Sequence, residues 1–280
     1  MPLHVNPQLP PTLRDRLAEA SRPLAGIWVC SGSPLVAEIC AGAGLDWLLI
    51  DMEHSPNGLE SVLAQLQAVA AYPVTPVVRV PSGDAVVIKQ VLDLGAQNLV
   101  VPMVSTAEEA TAVVEAVRYP PRGRRGVGSA LARSARWNRV DDYLVDADAH
   151  VSLFVQVETV EGVANAAAIA AVDGIDGVFV GPSDLAASMG VIGQQAHPEV
   201  TAAVRRTFDA VLGAGRPVGV NAFDPDVAER YVDAGASFVL VGADVTLLAR
   251  GSEALARHWT AEVDGGGRRW RSTADERRLR

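Results

Sequence analysis

Residues 151–184, VSLFVQVETVEGVANAAAIAAVDGIDGVFVGPSD, contain two unbroken apolar runs separated by a helix-like segment, and each run ends abruptly in a carboxylate, Glu158 and Asp184. Strands covered on both faces of a parallel sheet read in this way, as continuous β-branched and aromatic residues. A carboxylate closing such a run is not core material, because burying an unpaired charge costs too much. If both strands belong to one parallel barrel, their C-terminal ends open on the same face and the two acids can converge on one hard cation. Either acid alone could instead serve a helix N-terminus, since Thr159 and Leu185 begin helix-like segments. Two acids at matching strand ends, with Gln156 and Ser183 beside them, favour the cation.

Outward from this stretch, apolar strand and amphipathic helix alternate with regularity. The pattern predicts strands at 25–30, 46–51, 74–80, 98–103, 217–221 and 238–241 in addition to the two already read. It predicts helices at 34–43, 58–71, 85–94, 107–117, 141–149, 225–234 and 244–262, with Gly44, Gly95 and Gly235 marking helix-to-strand turns. The first strand is followed by SGSPLVAE rather than a phosphate-binding glycine fingerprint, which disfavours a doubly wound open sheet. The expectation is a single-domain (β/α)8 TIM barrel over residues 23–262. It carries an N-terminal extension with a short helix over 1–22 that covers one barrel end, and a disordered tail over 263–280.

A chain of 280 residues suits such a barrel, which typically takes about 250. A formal charge of -9 argues against nucleic acid or an anionic membrane as the main partner. Cys30 and Cys40 form no CxxC pair, so neither a structural zinc site nor a disulfide framework is expected. With no signal peptide or membrane-length apolar run visible, a soluble cytoplasmic protein is expected.

Barrel chemistry sits at the C-terminal strand ends. Those positions are Trp28, Asp51 with Glu53 and His54, Arg79, Pro102, Glu158, Asp184, Asn221 and Asp244. In DMEH, the acid Asp51 lies three residues before His54, so a turn can bring imidazole and carboxylate together as a general base and its orienting partner; the alternative is a solvated surface turn. No GxSxG elbow supports a hydrolase. Arg79 ends an apolar strand and must meet an anion, either Asp51 or Glu53 as a structural bridge or a substrate oxyanion. The segment 119–138, YPPRGRRGVGSALARSARWN, breaks the periodicity and reads as functional or disordered. Its clusters Arg122, Arg124, Arg125 and Arg133, Arg136, together with the adjacent Arg139, read as subunit contacts or as anion clamps at the mouth of the site.

Together, AGAGLDWLLIDMEHSPN, PVVRV, QNLVVPMV, RYPPRGRRGVGSALARSARWN, VQVET and DGVFVGPSDLAASMG resemble the metal-dependent (class II) pyruvate aldolases of the 4-hydroxy-2-oxoheptanedioate aldolase (HpcH/HpaI) family. The resemblance covers roughly residues 22–262. It implies a carbon-carbon lyase that cleaves 4-hydroxy-2-oxoheptanedioate to pyruvate and succinate semialdehyde through a metal-stabilised pyruvate enolate, within aromatic compound catabolism. The implied cofactor is Mg2+, Mn2+ or Co2+ on Glu158 and Asp184, with Gln156 positioning water. The implied dyad is His54 with Asp51. Arg79 binds the keto oxygen, and amides around Gly181, Pro182, Ser183 and Asp184 hold the pyruvate carboxylate.

The family's aromatic is matched by Trp28, whereas Asn221 stands where an apolar residue is expected, which bears on the aldehyde. Val127 is a subunit or pocket-mouth candidate. The resemblance also implies a homo-oligomer, a hexamer built as a trimer of dimers that exchange the last helix. The chain's sole lysine, Lys89, lies in a helix, which disfavours a Schiff-base aldolase. The alternatives are a related barrel lyase acting on a CoA thioester, an aldolase for another 2-keto-3-deoxy acid, and a non-catalytic keto-acid binder.

Overall fold

A computed structural model describes residues 8–260 of the chain. In chain order the elements are α1 (Leu13–Glu19), β1 (Leu24–Val29), α2 (Pro34–Ala41), β2 (Trp47–Asp51), α3 (Leu59–Ala68), β3 (Thr75–Arg79) and α4 (Ala85–Asp93). They continue with β4 (Asn98–Val101), α5 (Ala107–Val117), α6 (Tyr143–Asp146), β5 (Ser152–Val157), α7 (Val160–Ala170), β6 (Gly177–Val180) and α8 (Pro182–Ser188). The last are α9 (Pro198–Gly213), β7 (Val218–Asn221), α10 (Pro225–Asp233), β8 (Phe238–Ala243) and α11 (Asp244–Thr260).

The strands close into a barrel in the order β1 to β8, every neighbouring pair parallel. The expected (β/α)8 architecture is thereby met, with strand ends displaced by a residue or two. Gly44, Gly95 and Gly235 all take positive φ at their turns, a conformation in which a side chain would be strained. The helix-like segment read from Leu185 is α8, which begins at Pro182, whereas α9 is a helix that the sequence reading did not include. By compactness the chain divides at Val245. From Thr246 onward, α11 is a helix carrying Arg250–Glu253 and Arg257–Glu253 surface pairs at 2.7 and 3.8 Å, interactions of small worth when exposed. The tail expected over 263–280 lies outside the described residues. Among those described, no helix is long and apolar enough to cross a membrane.

Two apolar layers hold the barrel. Between strands and helices lies an aliphatic layer that includes Ile50, Val78, Leu99, Val155 and Val178. Inside the barrel the core is aromatic: Phe238 meets Trp47, Phe154 and Phe179 with ring centroids 5.7, 5.2 and 6.1 Å apart. Gly26 and Gly219 make room for it, since a Cβ at either position would collide with the rings of Trp47 and Phe238 respectively. Each large side chain so buried contributes about 1.5–3 kcal/mol.

Helix α1 covers the N-terminal end of the barrel. Thr12 and Asp15 form a capping box, the Leu13 side chain joins the inner core, and the Leu13 amide donates to Asn98 Oδ1 at the start of β4, 2.6 Å away.

The irregular segment after α5 belongs to the same end, because a helix-to-strand connection returns to the N-terminal face. This corrects its placement as an anion clamp at the mouth of the site. Arg125 is buried over the Tyr119 ring at 4.6 Å and donates to Asp93 at 3.1 Å. Arg122 pairs with Asp148 at 2.8 Å, and Arg133 donates to the Leu94 carbonyl at 3.0 Å. These arginines staple a loop that lacks a hydrophobic repeat of its own.

Candidate active site

At the opposite, C-terminal face a cavity of about 480 Å³ is lined by Trp28, Asp51, His54, Arg79, Gln156, Glu158, Gly181, Pro182, Ser183, Asp184 and Asn221, among others. Of the positions read as rim, binding or pocket-mouth candidates, Glu53, Pro102, Asp244 and Val127 do not line this hollow, and the others just named do. Val127 is 65% exposed and does not line that cavity.

Glu158 directly follows β5 and is only 2% exposed. It does not cap the next helix: Thr159 does, its side chain accepting from the Gly162 amide. Glu158 Oε1 instead accepts from the Met103 amide at 2.8 Å, and Oε2 accepts from Gln156 Nε2 at 2.7 Å. Burial pushes its pKa up to about 7, and the charges of Asp184 and Glu53 push the same way. Asp184 lies in the first turn of α8 and, among the described residues, has no hydrogen-bond or ion-pair partner. Gly181 lets the chain pass close by: a Cβ there would run into the Glu158 carboxylate.

Among the described residues no group of three or more His, Cys, Asp or Glu side chains could hold a metal ion. The Glu158 and Asp184 pair nevertheless fits a hard divalent cation. The donors are oxygens, the two carboxylate charges repel each other, and cations of the Mg2+ kind are commonly bound by one or two carboxylates with water and substrate filling the rest.

Asp51 and Arg79 end adjacent strands in register. Arg79 Nε donates to Asp51 Oδ1 at 2.8 Å, and NH1 lies 2.9 Å from Glu53 Oε2 and 3.4 Å from Gln156 Oε1. The guanidinium also lies over the Trp28 ring at 4.3 Å. Burial acts to raise the Asp51 pKa, but the hydrogen bond and charge of Arg79 prevail and hold it below the usual range. Arg79 therefore forms the bridge to the acids that one of its sequence readings expected, and it also lines the cavity.

The expected side-chain contact between Asp51 and His54 takes another form. Asp51 accepts from the backbone amides of Glu53 and His54 and from the Ser55 hydroxyl, so its carboxylate ties the turn together. The carboxylate beside the imidazole is that of Glu53, with Oε2 3.8 Å from His54 Nε2. In a four-residue turn the acid at its start is placed to cap amides, which is why it does not reach the imidazole. The His54 side chain is 64% exposed and lines the cavity. Glu53 was read only as a rim residue or bridge partner. Its position one residue before the imidazole was the available signal.

Asn221 ends β7, and its Oδ1 accepts from Trp28 Nε1 at 2.7 Å, so the polar replacement anchors the aromatic. Asp244 Oδ1 and Oδ2 accept from the amides of Cys30 and Ser31 at 2.8 and 3.0 Å, closing the loop after β1. Phe223, in the loop after β7, also lines the cavity; nothing in its local sequence distinguished it from core.

The family model described as HpcH/HpaI aldolase/citrate lyase matches residues 24–251. A 4-hydroxy-2-oxo-heptane-1,7-dioate aldolase of Salmonella dublin is 53% identical over 249 residues, 89% of this chain and 95% of that protein. An HpcH/HpaI aldolase/citrate lyase family protein from Burkholderia cenocepacia J2315 superposes with a TM-score of 0.85 at 42% identity, covering 89% of this chain and 99% of that one. The HpcH/HpaI aldolase from Desulfitobacterium hafniense DCB-2 gives a TM-score of 0.82 at 27% identity, covering 92% and 100%.

Proposed function

The chain belongs to the HpcH/HpaI aldolase/citrate lyase family, and from that premise we propose that it is a class II aldolase cleaving 4-hydroxy-2-oxo acids, with 4-hydroxy-2-oxoheptanedioate giving pyruvate and succinate semialdehyde. The observation that carries the reading is the clustering of Glu158, Asp184, Arg79 and His54 in one hollow at the C-terminal end of the barrel.

Glu158 and Asp184 would hold the divalent cation, and Gln156, donating to Glu158, would keep that carboxylate oriented. The chemistry a bound cation supplies is Lewis-acid polarisation of the 2-oxo group. His54 takes the proton of the 4-hydroxyl as the C3–C4 bond breaks; the hydroxyl oxygen becomes the aldehyde carbonyl, and the bond's electron pair goes to the pyruvate enolate. Arg79, fixed by Asp51, Glu53 and Trp28, stabilises the negative charge that develops on the 2-oxo oxygen. Protonation at C3 then yields pyruvate, and the reverse sequence is condensation. The amides opening α8 suit the pyruvate carboxylate.

The test is pyruvate formation from racemic 4-hydroxy-2-oxoheptanedioate after chelation, with and without Mg2+, Mn2+ or Co2+. Activity restored by a cation is expected; no turnover with any of them would overturn the reading. The same preparation, sized by light scattering, checks the hexamer that the family resemblance implies.

A further inference from the structure

Asn221, the polar residue that ends β7, is joined to β1 across an intervening strand. That strand is β8, which ends in Gly242 and Ala243, with Ala243 the register partner of Trp28. Both are too small to fill the gap, and the indole spans it. Its N–H donates to Asn221 Oδ1 at 2.7 Å, it stands nearly perpendicular to Phe179 with ring centroids 6.3 Å apart, and its face lies 4.3 Å from the Arg79 guanidinium carbon. Trp28 is buried, so without the amide oxygen its N–H would be left unsatisfied at a cost.

Arg79 is gripped in two ways. Asp51, Glu53 and Gln156 hold its nitrogens, and the indole covers its central carbon. Hydrogen bonds restrain a planar fork along its rim and leave it free to tilt, whereas a ring at its face removes that tilt. The attraction lasts only while the ring keeps its face turned to the cation, and loss of the amide frees the indole to rotate about its own side-chain bonds. We infer that Asn221 is a positioning residue for Arg79, acting through Trp28: the amide oxygen fixes the indole, and the indole fixes the guanidinium in the orientation that meets the enolate oxygen. The effect on rate rests on the aldolase reading above. An amide suits this task better than a carboxylate, since it accepts the indole N–H without adding a charge that competes for Arg79. The role concerns the pyruvate half of the reaction, so it is felt with no aldehyde present.

The experiment follows exchange of the pyruvate methyl protons in deuterium oxide by proton NMR, with Mg2+ and no aldehyde. A C3 proton leaves, its electron pair enters the enolate, and a deuteron from solvent takes its place, so only solvent is consumed. Wild-type protein is compared with Asn221→Leu, Trp28→Phe and the double variant; phenylalanine keeps a ring at the guanidinium and lacks the N–H. In Asn221→Leu the exchange rate at saturating pyruvate is expected to fall about three- to tenfold, the effect of one hydrogen bond, with half-saturation by pyruvate unchanged within about twofold. The double variant is expected to be no slower than Trp28→Phe, because both substitutions remove the same bond. An unchanged rate, a loss confined to half-saturation, or losses that multiply in the double variant would overturn the assignment. If the wild-type protein exchanges nothing with Mg2+, Mn2+ or Co2+, the aldolase reading fails separately. Positioning is then read from solvent exchange of the Arg79 Nε–H by NMR of isotope-labelled protein, its resonance identified by its absence in Arg79→Met. That proton is expected to exchange about tenfold faster in Asn221→Leu, and unchanged protection would overturn the assignment.

Discussion

Asp51 and Arg79 are register partners at the ends of β2 and β3, joined by a 2.8 Å hydrogen bond inside the barrel mouth. One guanidinium thereby reaches two carboxylates, an amide oxygen and an indole face. Such a group is held in place before any substrate arrives, so no reorganisation is needed as charge develops.

Arg79→Met leaves Asp51 and Glu53 without their cation. Stability should fall by about 3–5 kcal/mol, the usual effect of breaking a buried pair from one side, and kcat by about 10²-fold or more. Arg79→Lys should recover part of the stability and little of the rate, because an ammonium cannot reproduce the planar fork. Thermal denaturation and steady-state cleavage assays check both.

Gly181 adopts a φ of -100°, which any residue can take, so Gly181→Ala tests space alone. Its methyl group would press on the Glu158 carboxylate. Cation affinity measured by titration should drop at least tenfold, about 1.4 kcal/mol, with little change in the far-ultraviolet circular dichroism. Unchanged affinity would remove Glu158 from the cation site.

With the cation chelated, Glu158 makes the fold pH-sensitive in a direction opposite to that of an ion-paired acid. Its folded pKa is raised to about 7, so the native state holds a proton that the unfolded chain, with a Glu pKa of about 4.3, has released. Stability is therefore greatest below the unfolded value and is lost as pH rises toward 7, by on the order of 1–3 kcal/mol. Denaturant midpoints between pH 4.5 and 7.5 should flatten in Glu158→Gln. In the wild-type protein, Mg2+ should offset the loss at neutral pH.

His54→Ala should lower kcat by about 10²–10⁴-fold, the range for a general base, while pyruvate affinity measured by titration stays within twofold.

Much of this was legible from periodicity alone, since a parallel barrel writes its strands as apolar runs and its turns as glycines. Glu158 and Arg79 stood out because a charge at the end of such a run needs a reason. The contacts of His54 were less legible: whether Asp51 meets the imidazole or the amides of its own turn depends on a few side-chain torsions, which spacing does not encode. Arg125 misled for a related reason. A basic cluster in sequence reads as a surface, whereas here one guanidinium is buried within a loop whose larger apolar side chains, Val127, Leu131 and Trp137, are exposed.

The aromatic packing of Trp47, Phe154 and Phe238, sealed beneath by Leu13, also bears on traffic through the enzyme. A filled interior leaves a cul-de-sac with one doorway. On the proposed reaction the aldehyde, as the outer fragment, must depart first, and pyruvate, seated at depth by Arg79 and Glu158, leaves last. In the synthetic direction the queue reverses, and pyruvate must enter before its partner.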